Sequence, residues 1–196
     1  MSDSDGKLII VSGPSGAGKT SVLRQVLQRM GERLVVSVSA TTRPPRQGEV
    51  DGEDYHFLSP QEFQQKRAAG KFLECFEVFG RGYWYGTLKS EVEPRVARGE
   101  WVLLEIDVDG AMSVLEQYPQ AVTIFIRPRS LEQLETQLRG RRTETEDALQ
   151  RRLEVARHEL NFADKYTYNV INEDIQQAVR ATCEILESLG EVAHDS

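Results

Sequence analysis

The run Gly13-Pro14-Ser15-Gly16-Ala17-Gly18-Lys19-Thr20 satisfies G-x-x-x-x-G-K-[ST], a spacing that can hold the phosphates of a nucleoside triphosphate. Its glycines let backbone N–H groups converge on an anion with no Cβ in the way, and a helix beginning at its end adds a positive terminus. Lys19 is then placed to reach the β- and γ-phosphates, and the Thr20 hydroxyl to ligate Mg²⁺. A second basic pair, Arg43 and Arg46, stands in a stretch stiffened by Pro44, Pro45 and Gly48. Two guanidinium forks at that spacing can bracket one phosphate, whereas isolated surface arginines are simply solvated; the pair alone leaves both readings open. Glu105 and Asp107 close an apolar run, where an acid can hold the water shell of Mg²⁺ beside Thr20 or merely face solvent. Arg139, Arg141, Arg142, Arg151 and Arg152 form a late cationic cluster interleaved with Glu144, Glu146, Asp147 and Glu154. Phosphate contacts or a salt-bridged helix surface both fit that composition.

These groups need elements to aim them. Residues 8–11 read as a short apolar strand running into the loop, and Val22, Leu23, Val26, Leu27 and Met30 mark one face of a helix from Thr20. A second strand is expected over 34–39, then mostly loop over 40–55. Ser59-Pro60-Gln61-Glu62 combines an N-cap serine, a proline at the first helical position and an acid at the third, with Gly70 as the stop. Residues 72–79 read as a strand, 80–87 as a turn, and 91–98 as a helix that tolerates Pro94 only near its first turn. A buried central strand is expected over 101–107, a short helix over 110–117, a strand over 121–126 and a helix around Leu131, Leu134 and Leu138. A long charged helix over 144–164, a strand over 168–171 and a helix over 175–189 complete the chain. Such alternation predicts an α/β fold, a parallel sheet with helices on both faces. The stretch 38–92 breaks the rhythm as a small mixed lobe and 137–157 as a helical lid, leaving 1–37, 93–136 and 158–196 as the core of one domain.

Bulk composition narrows the function classes. With 196 residues, 39% hydrophobic and 28% charged, the chain has the make-up of a soluble globular domain. A formal net charge of -7 argues against non-specific binding to nucleic acid or anionic membrane, and it requires any polyanion site to gather its arginines locally. Cys75 and Cys183 are far apart, which suggests free thiols in a reducing compartment, and the scattered His56, His158 and His194 make no zinc pattern. Neither a signal peptide nor a run of roughly 20 apolar residues is visible, so a cytoplasmic protein is expected.

The motifs together resemble the guanylate kinase family. Ser39-Ala40-Thr41-Thr42-Arg43-Pro44-Pro45-Arg46-Gln47-Gly48-Glu49 is similar to that family's S-x-T-T-R-x-x-R-x-G-E, and Gly52 to Phe57 to its G-x-x-Y-x-F. Phe72-Leu73-Glu74, Tyr85-Gly86-Thr87 and Val170-Ile171-Asn172 resemble F-[IL]-E, Y-G-[ST] and V-[IV]-N, the last near an adenine pocket. The resemblance spans nearly the whole chain. It implies that Arg43, Arg46, Tyr55 and Tyr85 hold the GMP phosphate, with Ser39, Glu74 and Thr87 reading guanine and Asp107 nearby. It also implies that Arg141 and Arg152 contact ATP phosphates and the transferring group, making them catalytic with Lys19 and Arg43. The implied substrates are ATP, with Mg²⁺, and GMP or dGMP, and the implied assembly is a monomer or homodimer. Glu105 stands where the family usually has Asp, Asp109 for Gln, Gln137 for Arg and Arg142 for Gly, and the turn before Tyr85 is longer.

Two other readings compete. A guanylate-kinase-like interaction module without catalysis is disfavoured by the intact Lys19 and Thr20. A related kinase acting on a phosphorylated sugar or another nucleotide is disfavoured by the guanine-reading residues. A regulatory GTPase would explain Asp107-Val108-Asp109-Gly110 as D-x-x-G, but no N-K-x-D accompanies it.

Overall fold

The computed structural model describes residues 6–78, 82–139 and 146–191. In chain order its elements are strand β1 (Lys7–Ser12), helix α1 (Lys19–Met30), β2 (Leu34–Val36), β3 (Ala40–Thr41), β4 (His56–Phe57), α2 (Pro60–Ala68), β5 (Phe72–Val78) and β6 (Tyr83–Leu88). They continue with α3 (Lys89–Ala97), β7 (Trp101–Glu105), α4 (Val108–Gln117), β8 (Val122–Arg127), α5 (Leu131–Arg139), α6 (Glu146–Leu160), β9 (Tyr168–Ile171) and α7 (Ile175–Glu191). A five-stranded sheet runs in the order β2-β7-β1-β8-β9, and its β1–β8 and β8–β9 pairs are parallel. A four-stranded mixed sheet runs β4-β3-β6-β5. Together with their flanking helices they make the α/β architecture that the alternating pattern predicts. Among the described residues, no helix is long and apolar enough to cross a membrane.

The chain divides into two compact units. One holds residues 9–34, 105–108 and 122–196. Here Ile9, Ile10 and Val11 of β1 and Ile124, Phe125 and Ile126 of β8 are fully buried, a continuous apolar run suited to a strand covered on both faces. Val22, Leu23 and Val26 are the buried stripe of α1, while Leu27 and Met30 stay partly exposed. Gly31, at φ 59°, ends the helix in a conformation that a side chain would resist.

The other unit holds residues 1–8, 35–104 and 109–121. Phe63 of α2 stacks on Phe72 of β5 at 4.5 Å, and both join Ala40 and Leu88 in a small core under the mixed sheet. The start of α2 follows its sequence signals: Ser59 Oγ accepts from the Glu62 N–H, and the Glu62 carboxylate accepts from the Ser59 N–H.

Several boundaries differ from the sequence expectation: β7 ends at Glu105 rather than 107, α4 begins at Val108 rather than 110, and α6 ends at Leu160 rather than 164. The turn expected over 80–87 is strand from Tyr83 onward, pairing antiparallel with β5. Gly82 and Gly86 weaken the strand pattern there, yet Gly86 serves close approach: a Cβ on it would lie 2.7 Å from both Cys75 Cβ and the Glu74 carbonyl oxygen. Strand β2 stops at Val36 rather than 39, because the Ser39 and Thr41 carbonyls instead accept from His56 and Leu58 beside β4. Helix α3 begins at Lys89, so Pro94 lies inside it and removes one helical donor.

Candidate active site

In the unit of the phosphate loop, β1 leads into the loop and α1 leaves it at Lys19. Gly13 turns the chain at φ 143°, and a Cβ there would lie 1.9 Å from the Ile126 carbonyl oxygen of β8. No other residue fits that corner. Lys19 Nζ folds back to donate to the Gly13 carbonyl at 2.5 Å and the Pro14 carbonyl at 3.1 Å. Burial pushes its pKa down, while the charges of Glu159, Glu105 and Asp107 pull it back up. The ammonium is therefore held by carbonyl dipoles and surrounding acids.

Thr20 Oγ1 donates to Glu105 Oε1 at 2.8 Å. A hydroxyl and a carboxylate side by side, with Asp107 two residues on, form a set of hard oxygen donors of the kind Mg²⁺ takes when phosphates and waters complete its shell. No cluster of three or more His, Cys, Asp or Glu among the described residues could hold a metal by itself, as a site completed by substrate would not require one. The longer Glu105 side chain, where the resembling family has Asp, reaches Thr20 directly. Asp107, which the resemblance groups with the guanine readers, belongs to the phosphate-loop unit, where its carbonyl accepts from Ser12 Oγ at 3.4 Å.

Asn172, at the end of β9, is buried, and its Nδ2 donates to the Ala17 carbonyl at 2.7 Å. Here it braces the loop from behind. Arg152 of α6 donates from Nη2 to Ser15 Oγ at 3.0 Å. Glu159 of the same helix accepts from the Ser15 N–H at 3.2 Å. Arg141, Arg142 and Glu144 lie outside the described residues. Arg139 takes the salt-bridged role that the composition also allowed, contacting Glu135 and Glu146 and holding the Glu146 carboxyl at a pKa of about 2.

The second set of residues lies in the mixed-sheet unit around Arg43, whose side chain is only 8% exposed. Its Nε donates to Tyr85 Oη at 3.2 Å, Nη1 to the Pro44 carbonyl at 2.8 Å, and Nη1 and Nη2 to the two carboxylate oxygens of Glu49 at 2.9 Å each. Tyr55 and Phe57 present their rings to the guanidinium at 5.4 and 5.7 Å, and Tyr55 meets Tyr85 edge-on at 5.9 Å. Glu49 also accepts from the Arg46 N–H at 2.7 Å, which leaves the exposed Arg46 side chain outside that clamp. The Arg43 hydrogen bonds hold the Glu49 carboxyl below the usual carboxylate range. Glu74 and Thr87 face each other across β5 and β6, Thr87 Oγ1 donating to Glu74 Oε1 at 2.6 Å, both side chains buried. Half-buried Ser39 stands one residue before β3.

Two acids escaped the sequence reading. Glu49 could have been found, since it closes the same short motif as Arg43 and Arg46. Glu159 carried no signal, being one of many acids on a charged helix.

A glycine-cornered loop between a buried parallel strand and a helix, holding an inward lysine and a hydroxyl–carboxylate pair, defines a P-loop nucleotide-binding protein. The family model "Guanylate kinase" matches residues 5–189. A curated guanylate kinase of Rhodopirellula baltica is 50% identical over 182 residues, covering 92% of this chain and 87% of that protein. One from Fusobacterium nucleatum is 47% identical over 183 residues, covering 93% and 97%. The crystal structure of guanylate kinase from Anaplasma phagocytophilum superposes with a TM-score of 0.77 at 33% identity, covering 96% of this chain and 88% of that one. The chain belongs to the guanylate kinase family, a class of phosphotransferases.

Proposed function

We propose that the chain transfers the γ-phosphoryl group of Mg-ATP to GMP, and to dGMP, giving ADP with GDP or dGDP. One observation carries the acceptor assignment. Tyr85 and Thr87 share a face of β6, about 7 Å apart along the strand; one is bonded to Arg43 and the other to Glu74. A phosphate binder and a base reader on one strand face suit the two ends of a single small nucleotide. The residues proposed to hold the GMP phosphate are Arg43, Arg46, Tyr55 and Tyr85, and those proposed to read the base are Ser39, Glu74 and Thr87, with Asp107 nearby.

Guanine offers N–H donors at N1 and N2 and an acceptor at O6, and adenine lacks that donor face. The Glu74 carboxylate accepts both donors, while the Thr87 hydroxyl turns its proton from Glu74 to O6. AMP would set its 6-amino donor against the Thr87 hydroxyl and bring no N1 and N2 donors to Glu74, a mismatch that can reject a substrate by about 10⁴-fold.

No general base is required, because the acceptor phosphate, with a second pKa of about 6, is already largely dianionic at neutral pH. The barrier is repulsion between polyanions. Lys19 exchanges its loop carbonyls for phosphate oxygens, the N–H groups of the 13–20 loop not engaged elsewhere hold the triphosphate, and Arg43 neutralises the acceptor. Arg152 moves from Ser15 Oγ to the transferring group, and Arg141 assists from the lid at 137–157, which excludes water. When bound at Thr20, with Glu105 or Asp107 through water, Mg²⁺ would supply charge neutralisation and orientation of the phosphates. Asn172 fixes the back of the loop near the adenine.

The test is ADP release from Mg-ATP in a coupled assay with GMP, dGMP, AMP, CMP, UMP or a ribose bisphosphate as acceptor. Release with GMP and dGMP alone, with the matching diphosphates recovered, is expected. Activity with another acceptor alone, or silence with all of them, would overturn the reading.

A further inference from the structure

The outer turn of the phosphate loop is a seat for two helices. A Cβ on Gly16 would lie 2.7 Å from Leu138 Cδ2 and 3.2 Å from Leu134 Cδ1, so α5 rests directly against the loop backbone. Leu134 and Leu138 in turn pack with Leu149, Leu153 and Ala156 of α6 in one buried cluster. Residues 152, 156 and 159 fall on one face of α6, since seven residues are nearly two full turns. Along that face, Arg152 donates to the Ser15 hydroxyl, Ala156 is fully buried, and Glu159 accepts from the Ser15 N–H. Two polar contacts of this helix with the loop therefore converge on Ser15.

Glu159 is an unusual choice for such a contact. Its side chain is only 8% exposed, and burial pushes its pKa up while Lys19 and the Ser15 N–H pull it down. A glutamine would accept from the same N–H at a lower desolvation cost. What the charge adds is attraction to Lys19 and a stronger bond to the amide.

We propose that Glu159 is a positioning residue for phosphoryl transfer: its carboxylate anchors α6 to Ser15 and so keeps Arg152 at the phosphate loop. The proposal rests on the reading of Arg152 as a contact to the transferring group. It makes the loop's own backbone the reference against which the arginine is aimed. Without the anchor, α6 keeps its leucine cluster but loses the polar fastening that sets its height on the loop. Arg152 then spends less time within reach, lowering the rate of transfer while leaving the GMP-holding residues untouched.

The test compares the full chain with E159A, E159Q, R152A and the double variant R152A/E159A. It combines steady-state kinetics with the Ser15 amide proton resonance of the ligand-free protein. In E159A, kcat should fall about 10-fold, the worth of one hydrogen bond to a charged group, with KM for GMP within about 2-fold. E159Q, which keeps an acceptor, should recover most of that loss. In the R152A background, E159A should cost less than about 2-fold more, because the arginine it aims is gone. The Ser15 amide resonance should move upfield in E159A, which tests the anchor independently of catalysis. Equal losses from E159A with and without Arg152, or an unmoved Ser15 resonance, would overturn the proposal. R152A at the wild-type rate would remove Arg152 from the reaction and the proposal with it. Should E159A fail to fold, E159D carries the test: the same charge drawn back by one methylene should lose rate where E159Q does not.

Discussion

Thr87 Oγ1 lies 2.6 Å from Glu74 Oε1, across a register pair of the β5–β6 hairpin and out of reach of solvent. The hydroxyl gives its one proton to the carboxylate, so the two buried polar groups satisfy each other without ligand. A base entering there can replace that bond only by offering donors to the acid and an acceptor to the hydroxyl.

Glu74→Gln should therefore damage selectivity more than turnover. The amide presents donors where guanine also donates, so kcat/KM for GMP should fall by on the order of 10²-fold while that for AMP changes little. Steady-state kinetics with both acceptors checks this; unchanged GMP-over-AMP discrimination would sink the account of base reading.

Lys19→Ala should abolish transfer. The loop keeps its glycine corners but loses the cation that neutralises the β- and γ-phosphates, at a cost on the order of 10³-fold or more in kcat. Single-turnover measurements separate this from weaker ATP binding. Transfer at the wild-type rate would contradict the mechanism.

Glu49 clamps Arg43 in a two-oxygen fork and also accepts from the Arg46 amide. Glu49→Gln can complete only one arm of that fork. KM for GMP should rise by about 10-fold, with kcat less affected. Titration of the variant with GMP alone, by calorimetry, should show the same weakening without the reaction.

The same pair sets an acid limit. Arg43 depresses the folded-state pKa of Glu49, so its stabilisation is fully present above the unfolded carboxylate pKa and is lost as pH falls through the folded value. From about pH 5 downward, the thermal midpoint of the wild-type protein should fall more steeply than that of Glu49→Gln, which has no such proton to take up. Parallel curves would contradict the coupling.

Gly86→Ala should destabilise the mixed-sheet unit by about 1–3 kcal/mol, since the new Cβ would meet Cys75 Cβ and the Glu74 carbonyl oxygen, both at 2.7 Å. Because it presses on the strand that carries Glu74, it should weaken GMP binding as well. Urea unfolding and a GMP titration measure the two effects.

Much of this protein was decided by residue type and spacing alone. The phosphate loop and the start of α2 with its reciprocal Ser59–Glu62 cap are local: each depends on backbone preferences or hydrogen bonds within a few residues. The contacts that join Arg43, Arg46 and Glu49 are local too, falling within a single short motif. Tertiary structure decided the rest. Strand β6 exists because β5 and β3 pair on either side of it, overriding the turn preference of Gly82 and Gly86. The Thr20–Glu105, Thr87–Glu74 and Ser15–Glu159 contacts join residues 85, 13 and 144 positions apart. No periodicity records such pairs, because a side chain's partner across the fold is fixed by packing rather than by its neighbours in the chain. Glu159 is the clearest case: along α6 it is one acid among several, and only folding brings it to the amide of Ser15.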